Sequence, residues 1–249
     1  MKISIITATY NSASTIVETL DSLNEQTYDN IEHIIIDGGS TDNTLELVKA
    51  YGKRVSIVIS EKDEGIYDAL NKGISVATGD IIGILHSDDM FAYIDAVSDI
   101  AKVFFDNTVD ACYGDLSYIS RSGDNRVVRT WIAGDYSESK YKYGWMPPHT
   151  TFYMKNALYK KLGGYDTALK IAADYDAMLR YTLVAKINIV YIPKILIYMK
   201  VGGVSTRLSQ KFESLKDELI VMKRYNLGGV MTFMKKKIYK LPQFFKIVK

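Results

Sequence analysis

Four short, apolar, β-rich runs alternate with helix-patterned stretches over the first hundred residues, and this rhythm limits the possible folds more than any other feature. Residues 2–8 (KISIITA), 31–37 (IEHIIID), 55–60 (VSIVIS) and 80–85 (DIIGIL) read as strands. Residues 12–27 place Ile16, Leu20 and Leu23 on one helical face. A second helix, capped by Thr41 or Asp42, carries Leu45, Leu47 and Val48, and a third over 65–77 carries Ile66, Leu70 and Ile74. Strands separated by helices imply crossover connections and a parallel sheet. The unbroken isoleucine runs fit a sheet covered on both faces. Another helix is expected after residues 86–89, running to about 106.

From about residue 110 the rhythm changes. Residues 109–120 and 126–131 read as an antiparallel pair joined across 121–124. A loop with Gly144, Pro147 and Pro148 leads to a strand at 150–154 and a helix at 155–162. A helix over 174–186 follows, then two strands, 187–192 and 195–200, broken by Pro193. Residues 207–225 place Phe212, Leu215, Leu219 and Met222 on one helical stripe. The expected class is α/β, with a mostly parallel central sheet flanked by helices and a small antiparallel element in the second half. One domain over 1–225 and a tail over 226–249 describe the chain.

Composition removes several function classes. A single cysteine, Cys112, excludes an intramolecular disulfide and a cysteine-based zinc site, and suits a reducing compartment. No stretch approaches ~20 consecutive apolar residues, so no membrane span is expected. The N-terminus lacks the long apolar segment of a signal peptide. The expected location is cytoplasmic. The net charge of +2 hides an asymmetry, because Lys235, Lys236, Lys237, Lys240, Lys246 and Lys249 crowd the last twenty residues. The rest of the chain holds 25 basic and 29 acidic residues. Lysines interleaved with Phe233, Tyr239, Phe244 and Phe245 suit a segment lying on an anionic membrane surface. A solvated helix, a packing arm and a nucleic-acid patch remain open for this tail, although nothing else in the chain looks like a nucleic-acid module.

In open parallel sheets, ligands bind beyond the carboxyl ends of the strands. Here each strand end carries polar residues: Thr9-Tyr10-Asn11, Asp37-Gly38-Gly39-Ser40, Glu61-Lys62-Asp63-Glu64-Gly65 and His86-Ser87-Asp88-Asp89. Four such ends on one edge imply one cleft. No G-x-G-x-x-G follows the first strand and no Walker sequence is present, which disfavours dinucleotide and P-loop chemistry. The cleft offers carboxylates instead. Adjacent acids repel unless a cation compensates them, and a hard divalent ion with oxygen ligands, Mg²⁺ or Mn²⁺, would bridge them to a diphosphate. The alternative is that Asp89 caps a helix starting near Phe91.

TATYN, IIIDGGSTDNT, EGIYDALNKGI with ATGD, and LHSDD, in this order at these strand ends, resemble glycosyltransferase family 2, whose fold is GT-A. The match is dense over residues 2–90 and looser to about 206. It implies a nucleotide-binding half over about 1–106 and an acceptor half over about 107–225. Carried over position by position, Thr9, Tyr10 and Asn11 form the first nucleotide loop, with Tyr10 beside the base or at the rim. Asp37 bonds the base, the alternative being an acid in the turn that opens the second helix. Asp63, Gly65, Asp68, Asn71 and Lys72 match the D-x-G-x-x-x-A-x-N-x-G segment bordering ribose and phosphates, although Asp68 and Lys72 also suit a solvated helix face. Ser87, Asp88 and Asp89 stand at the metal motif. Asp89 would hold the ion and Asp88 would contact sugar or ribose. His86 replaces the commonest asparagine, in a packed or hydrogen-bonding role or as an extra ligand.

The catalytic base of the family aligns with Asp174, and Ala173 stands where an acid usually precedes it. Asp174 and Asp176 point about 200° apart on a helix and cannot serve one proton. Residues 202–207 resemble a segment that folds over the donor pyrophosphate, with Arg207 pairing with phosphate. Trp145, Pro147, Pro148 and His149 lie where relatives meet the acceptor, the alternative being an ordinary packing loop. The implied reaction is an inverting displacement from a nucleoside-diphosphate sugar, UDP-linked by preference, onto a glycan or lipid-linked hydroxyl of bacterial surface polysaccharide. A nucleotidyltransferase of related fold and a donor-binding protein without catalysis are the alternatives.

Overall fold

The computed structural model describes residues 1–121, 124, 126–202, 211–229 and 232. Strands β1 (Ile3–Thr9), β2 (Ile31–Asp37), β3 (Val55–Ser60) and β4 (Ile81–Ile84) alternate with helices α1 (Ile16–Asn24), α2 (Thr44–Tyr51) and α3 (Ile66–Val76). All pairings among these four strands are parallel, and β1 lies between β2 and β4. Every residue of β1 is buried, as its apolar run requires of a strand covered on both faces. Edge strand β3 alternates half-buried and exposed positions.

The chain continues through β5 (Asp89–Phe91), α4 (Ala96–Val103), β6 (Ala111–Ile119), β7 (Val127–Trp131), β8 (Tyr153–Lys155), α5 (Asn156–Leu162), α6 (Ala173–Leu179), β9 (Ile189–Lys200) and α7 (Lys211–Arg224). All strands join one sheet in the order β3-β2-β1-β4-β8-β6-β9-β5, and β7 pairs with β6 off this path. Strand β8 pairs antiparallel with both β4 and β6, so it links the parallel half to the second half. Among the described residues, the main core runs through both halves, from Ile5 and Ile34 to Tyr153, Met178 and Leu196, and a smaller cluster of Ile16, Leu20, Ile35 and Val48 packs α1 and α2 against β2.

Three local expectations need correction. Residues 89–91 form a strand instead of opening a helix, because Asp89, Met90 and Phe91 pair with Met199, Tyr198 and Ile197. Pro193 does not divide two strands. The register with β6 passes from Gly114↔Ile192 to Asp115↔Ile195, so Pro193 and Lys194 bulge out of one continuous strand. A bulge takes up the missing proline N–H without ending the ladder. The helix expected over 174–186 is α helix through Leu179 and π helix over Arg180–Val184. Residues 207–210 of the last predicted helix, and nearly all of the basic tail, lie outside the described residues.

Candidate active site

The parallel register brings the carboxyl ends of β1 and β2 side by side, with Thr9 opposite Asp37. Their loops are laced together. The Asn11 amide donates to Ser40 Oγ at 2.8 Å, and the Thr41 amide donates to Asn11 Oδ1 at 2.9 Å. Asn11 holds a left-handed backbone, φ 48°, which asparagine tolerates better than most residues. Ser12 Oγ meets Ser87 Oγ at 2.9 Å and ties this loop to the end of β4. Tyr10 stands at the rim, 62% exposed, available to stack on a planar group. Thr9 is buried and its Oγ1 has no hydrogen-bond partner. A buried, unsatisfied hydroxyl of this kind calls for a missing partner.

The acids differ sharply in their surroundings. Asp37 is fully buried, and its carboxylate accepts from the amides of Gly39 and Ser40 and from the hydroxyls of Ser40 and Ser60. It therefore organises its own turn, the alternative reading of this acid. The Asp63 carboxylate accepts from the Gly65 amide at 3.0 Å and lies against Gly38, where a Cβ would come within 2.5 Å of Asp63 Oδ2. Glycine at 38 permits that approach. Gly65, at φ 122°, supplies the backbone that starts α3.

On α3, Asp68 and Lys72 form an ion pair at 3.3 Å, and Lys72 also pairs with Glu61 at 2.8 Å. Hydrogen bonding to Glu61, with further help from Asp68, raises the Lys72 pKa despite partial desolvation. This is the charged-face arrangement. Asn71 is a correction. Its Nδ2 donates to the Tyr165 carbonyl and its Oδ1 accepts from the Tyr165 amide, both at 2.8 Å. Both ends of the side chain brace the loop before α6 and are not turned to a donor.

Asp89 is 0% exposed, and neither carboxylate oxygen has a hydrogen-bond partner. Burial first, then the neighbouring Asp88 charge, push its pKa well above the ordinary value, and Arg121 opposes them. Asp89 lies in β5 and caps no helix. A buried carboxylate with both oxygens unsatisfied fits a cation-binding role. Among the described residues, no three histidine, cysteine or acidic side chains cluster to hold a metal. A magnesium-type ion needs only one or two carboxylates when substrate phosphates and water supply the rest, so Asp89, with Asp88 beside it, fits the implied ion. The Asp88 carboxylate accepts from Arg121 at 2.7 Å, and Arg121 also donates to the Val201 carbonyl at 2.6 Å. Arg121 carries no sequence signal. It stands on the β6–β7 connection, 33 positions from Asp88, and only the fold joins them.

Asp174 opens α6. Its Oδ1 accepts from the Tyr175 amide at 2.8 Å and lies 3.3 Å from the Tyr67 hydroxyl of α3. Its Oδ2 lies 3.2 Å from Nδ1 of His149. His149 Nε2 meets His86 Nε2 at 3.2 Å, so a continuous chain joins Asp174 to the end of β4, three residues before Asp89. Burial, reinforced by His149, lowers the His86 pKa to about 3, so His86 is neutral and plays the hydrogen-bonding role. Burial raises the Tyr118 pKa, Arg129 over its ring at 3.9 Å opposes this, and Asp89 and Asp174 both add to it. Asp176 turns the other way, 1% exposed and bonded by Arg224 and Tyr225.

Within the expected acceptor region, His149 lies at the site and Trp145 does not. Trp145 is 2% exposed, and its indole N–H donates to the Ala133 carbonyl at 2.9 Å. Trp145 belongs to an aromatic cluster with Tyr113, Tyr136 and Tyr141. Arg207 lies outside the described residues.

The profile of the family described as Glycosyl transferase family 2 matches residues 4–171. An uncharacterized glycosyltransferase of Mycobacterium tuberculosis, Rv1514c, is 33% identical over 189 residues, which cover 74% of this chain and 70% of that protein. Among solved structures, residues 1–349 of S. aureus TarS in complex with UDP-GlcNAc superpose with a TM-score of 0.71 at 21% identity, covering 96% of this chain and 70% of that one. The chain spans 44% of a longer TarS structure. The mannosyltransferase PcManGT from Pyrobaculum calidifontis, in complex with GDP-Man and Mn²⁺, matches with a TM-score of 0.67 at 19% identity, covering 98% of this chain and 73% of that one.

Proposed function

Because the chain belongs to glycosyltransferase family 2, and is therefore an enzyme that transfers sugar from a nucleotide sugar, we propose an inverting transfer from a UDP-sugar to an acceptor hydroxyl, with Asp174 as general base. The observation that carries this reading is the rim on which Asp174, through His149 and His86, connects to the strand end bearing Asp88 and Asp89. Thr9, Tyr10 and Asn11 border the donor side, and Asp63 and Gly65 line the approach to α3. Asp89 would hold a Mg²⁺ or Mn²⁺ ion, with Asp88 beside it, and such an ion would supply Lewis-acid stabilisation of the departing diphosphate.

Asp174 Oδ2 takes the proton of the acceptor hydroxyl as that oxygen attacks the anomeric carbon from the face opposite the diphosphate. One displacement inverts the centre. The presence of UDP-GlcNAc in TarS supports a UDP-linked donor, while GDP-Man in PcManGT keeps the base open to test. The acceptor is a glycan on a lipid carrier, a reading that rests on the basic, aromatic tail as a tether to an anionic membrane. Among the described residues no helix is long and apolar enough to cross a membrane.

Thermal shifts with UDP, GDP and dTDP, each with manganese, identify the base. The variant Asp174→Asn is expected to bind the selected nucleotide normally and to lose about 10²–10⁴-fold in transfer. Transfer at the wild-type rate removes Asp174 as the base. Flotation of the full chain and of residues 1–229 with anionic vesicles tests the tether, and equal binding refutes it.

A further inference from the structure

The imidazole pair behind Asp174 has a direction that can be worked out from donors and acceptors alone. His86 places Nε2 against His149, while its Nδ1 is buried with no hydrogen-bond partner. A neutral imidazole carries one N–H and one lone pair. Were the hydrogen on Nδ1 of His86, a buried N–H would be left without an acceptor. An orphaned buried N–H is rarer than an under-used acceptor. The hydrogen therefore sits on Nε2 of His86 and is donated to His149. His149 must accept at its own Nε2, which leaves its hydrogen on Nδ1, pointed at Asp174 Oδ2 across 3.2 Å. An ionised carboxylate only accepts, so every member of the chain agrees on the same direction.

We propose that His149 is a positioning residue for Asp174: it donates from Nδ1 to Oδ2 of the carboxylate, and His86 enforces that tautomer by donating to Nε2. The proposal rests on Asp174 as the base and adds what orients it. Oδ1 is held by the Tyr175 amide. The Tyr67 hydroxyl beside it has a shorter contact, 2.6 Å, with the Ile171 carbonyl. With Oδ1 and one lone pair of Oδ2 fixed, the carboxylate cannot rotate about its Cβ–Cγ bond without breaking both contacts. The second lone pair of Oδ2 is the one left to receive the acceptor proton. Fixing a base in this way raises kcat and leaves donor affinity untouched.

The chain has three histidines, His33, His86 and His149, so their ring nitrogens can be assigned in full-length, ¹⁵N-histidine-labelled protein with His33→Gln and His86→Asn. Long-range ¹H–¹⁵N spectra at neutral pH are expected to show His149 as the Nδ1–H tautomer. In Asp174→Ala that preference is expected to weaken. An Nε2–H tautomer or an imidazolium at His149 in the wild type overturns the proposal, with or without turnover.

Kinetics give the second reading, with UDP-GlcNAc and manganese as the probe and release of UDP as the signal. His149→Gln presents its amide where Nε2 stood and loses the Nδ1 donor. It is expected to lower kcat about 10²-fold with an unchanged KM for UDP-GlcNAc. His149→Asn keeps a donor at the Nδ1 position and is expected to restore most of that loss. If Asp174→Asn is inactive while His149→Gln turns over like the wild type, the positioning role fails and the base stands. If Asp174→Asn turns over normally, the base itself fails, and the tautomer measurement still decides the hydrogen-bond chain.

Discussion

Replacing Asp89 by asparagine tests the cation site without needing the acceptor. In the protein alone, the Asp89 carboxyl is fully buried with both oxygens unsatisfied, and Asp88 adds like-charge repulsion that Arg121 only partly offsets. An unsatisfied buried polar group costs about 1–3 kcal/mol, more when charged. Asparagine keeps the shape and one acceptor and removes the ionisable group, so the cost of either burying its charge or protonating it is lost. The metal-free variant is therefore expected to be at least ~1 kcal/mol more stable than the wild type, a rise in Tm of about 2–4 °C for a chain of this size. Manganese with UDP should reverse the order. A ligand at a hundred times its Kd stabilises by about 2.7 kcal/mol, and the variant should lose most of that gain. Differential scanning calorimetry, with and without manganese and UDP, reads both effects. A lower Tm for metal-free Asp89→Asn would mean that the carboxylate has a stabilising partner. An equal manganese response in both proteins would place the ion elsewhere. Either result refutes the reasoning.

Three further outcomes follow from the site and its supports. Asn71→Ala breaks both bonds to the Tyr165 backbone and is expected to cost about 1–3 kcal/mol by urea titration while leaving the Kd for UDP unchanged; a weaker Kd at unaltered stability would return Asn71 to the donor site. Gly38→Ala pushes a methyl group against the Asp63 carboxylate and should weaken UDP binding several-fold by calorimetry at little cost in stability. His33 is buried with its pKa lowered to about 3 by desolvation, and its Nε2 contacts Thr7 Oγ1 at 3.0 Å. Between about 6.5 and 3 the unfolded chain binds a proton that the native His33 refuses, so this residue's contribution to stability falls as pH falls, by about 1.4 kcal/mol per pH unit. His33→Gln cannot ionise and should flatten the slope of urea midpoint against pH; an unchanged slope would show that His33 is not the group responsible.

Glu32 lies at the opposite, amino-terminal end of the sheet and acts in the same acid range. Burial alone would raise its pKa, yet hydrogen bonds from Ser4, Thr78 and Lys2 hold it down to about 2. Its contribution is full above about 4.5 and is lost as pH falls towards 2. Asp99, whose pKa hydrogen bonds from Lys102 and Lys194 lower to about 2, titrates over an overlapping range, but both lysines are exposed and their ion pairs contribute little.

The parallel half of the fold was legible because its determinants are local. A run such as IEHIIID can only be a buried strand, a stripe such as Ile16, Leu20 and Leu23 can only face a core, and helices between strands force crossovers. The same logic fixed Thr9, Asp37, Asp63 and Asp89 at one edge of the sheet, since parallel strands end together. Asp176 was separated from Asp174 by helical geometry alone, and Arg224 and Tyr225 now occupy it. What the sequence could not express were pairings between distant segments. Asp89 sits in a strand because residues 197–199 pass alongside it, and its isolation from donors depends on that burial. Asn71 and Trp145 carry motif or regional resemblance, yet Tyr165 and Ala133 engage their polar atoms. Arg121 reaches Asp88, and His149 meets both His86 and Asp174, across separations that no spacing rule encodes. A residue's type sets which bonds it can make; the folded neighbourhood sets which bonds remain open, and an active site is built from those left open.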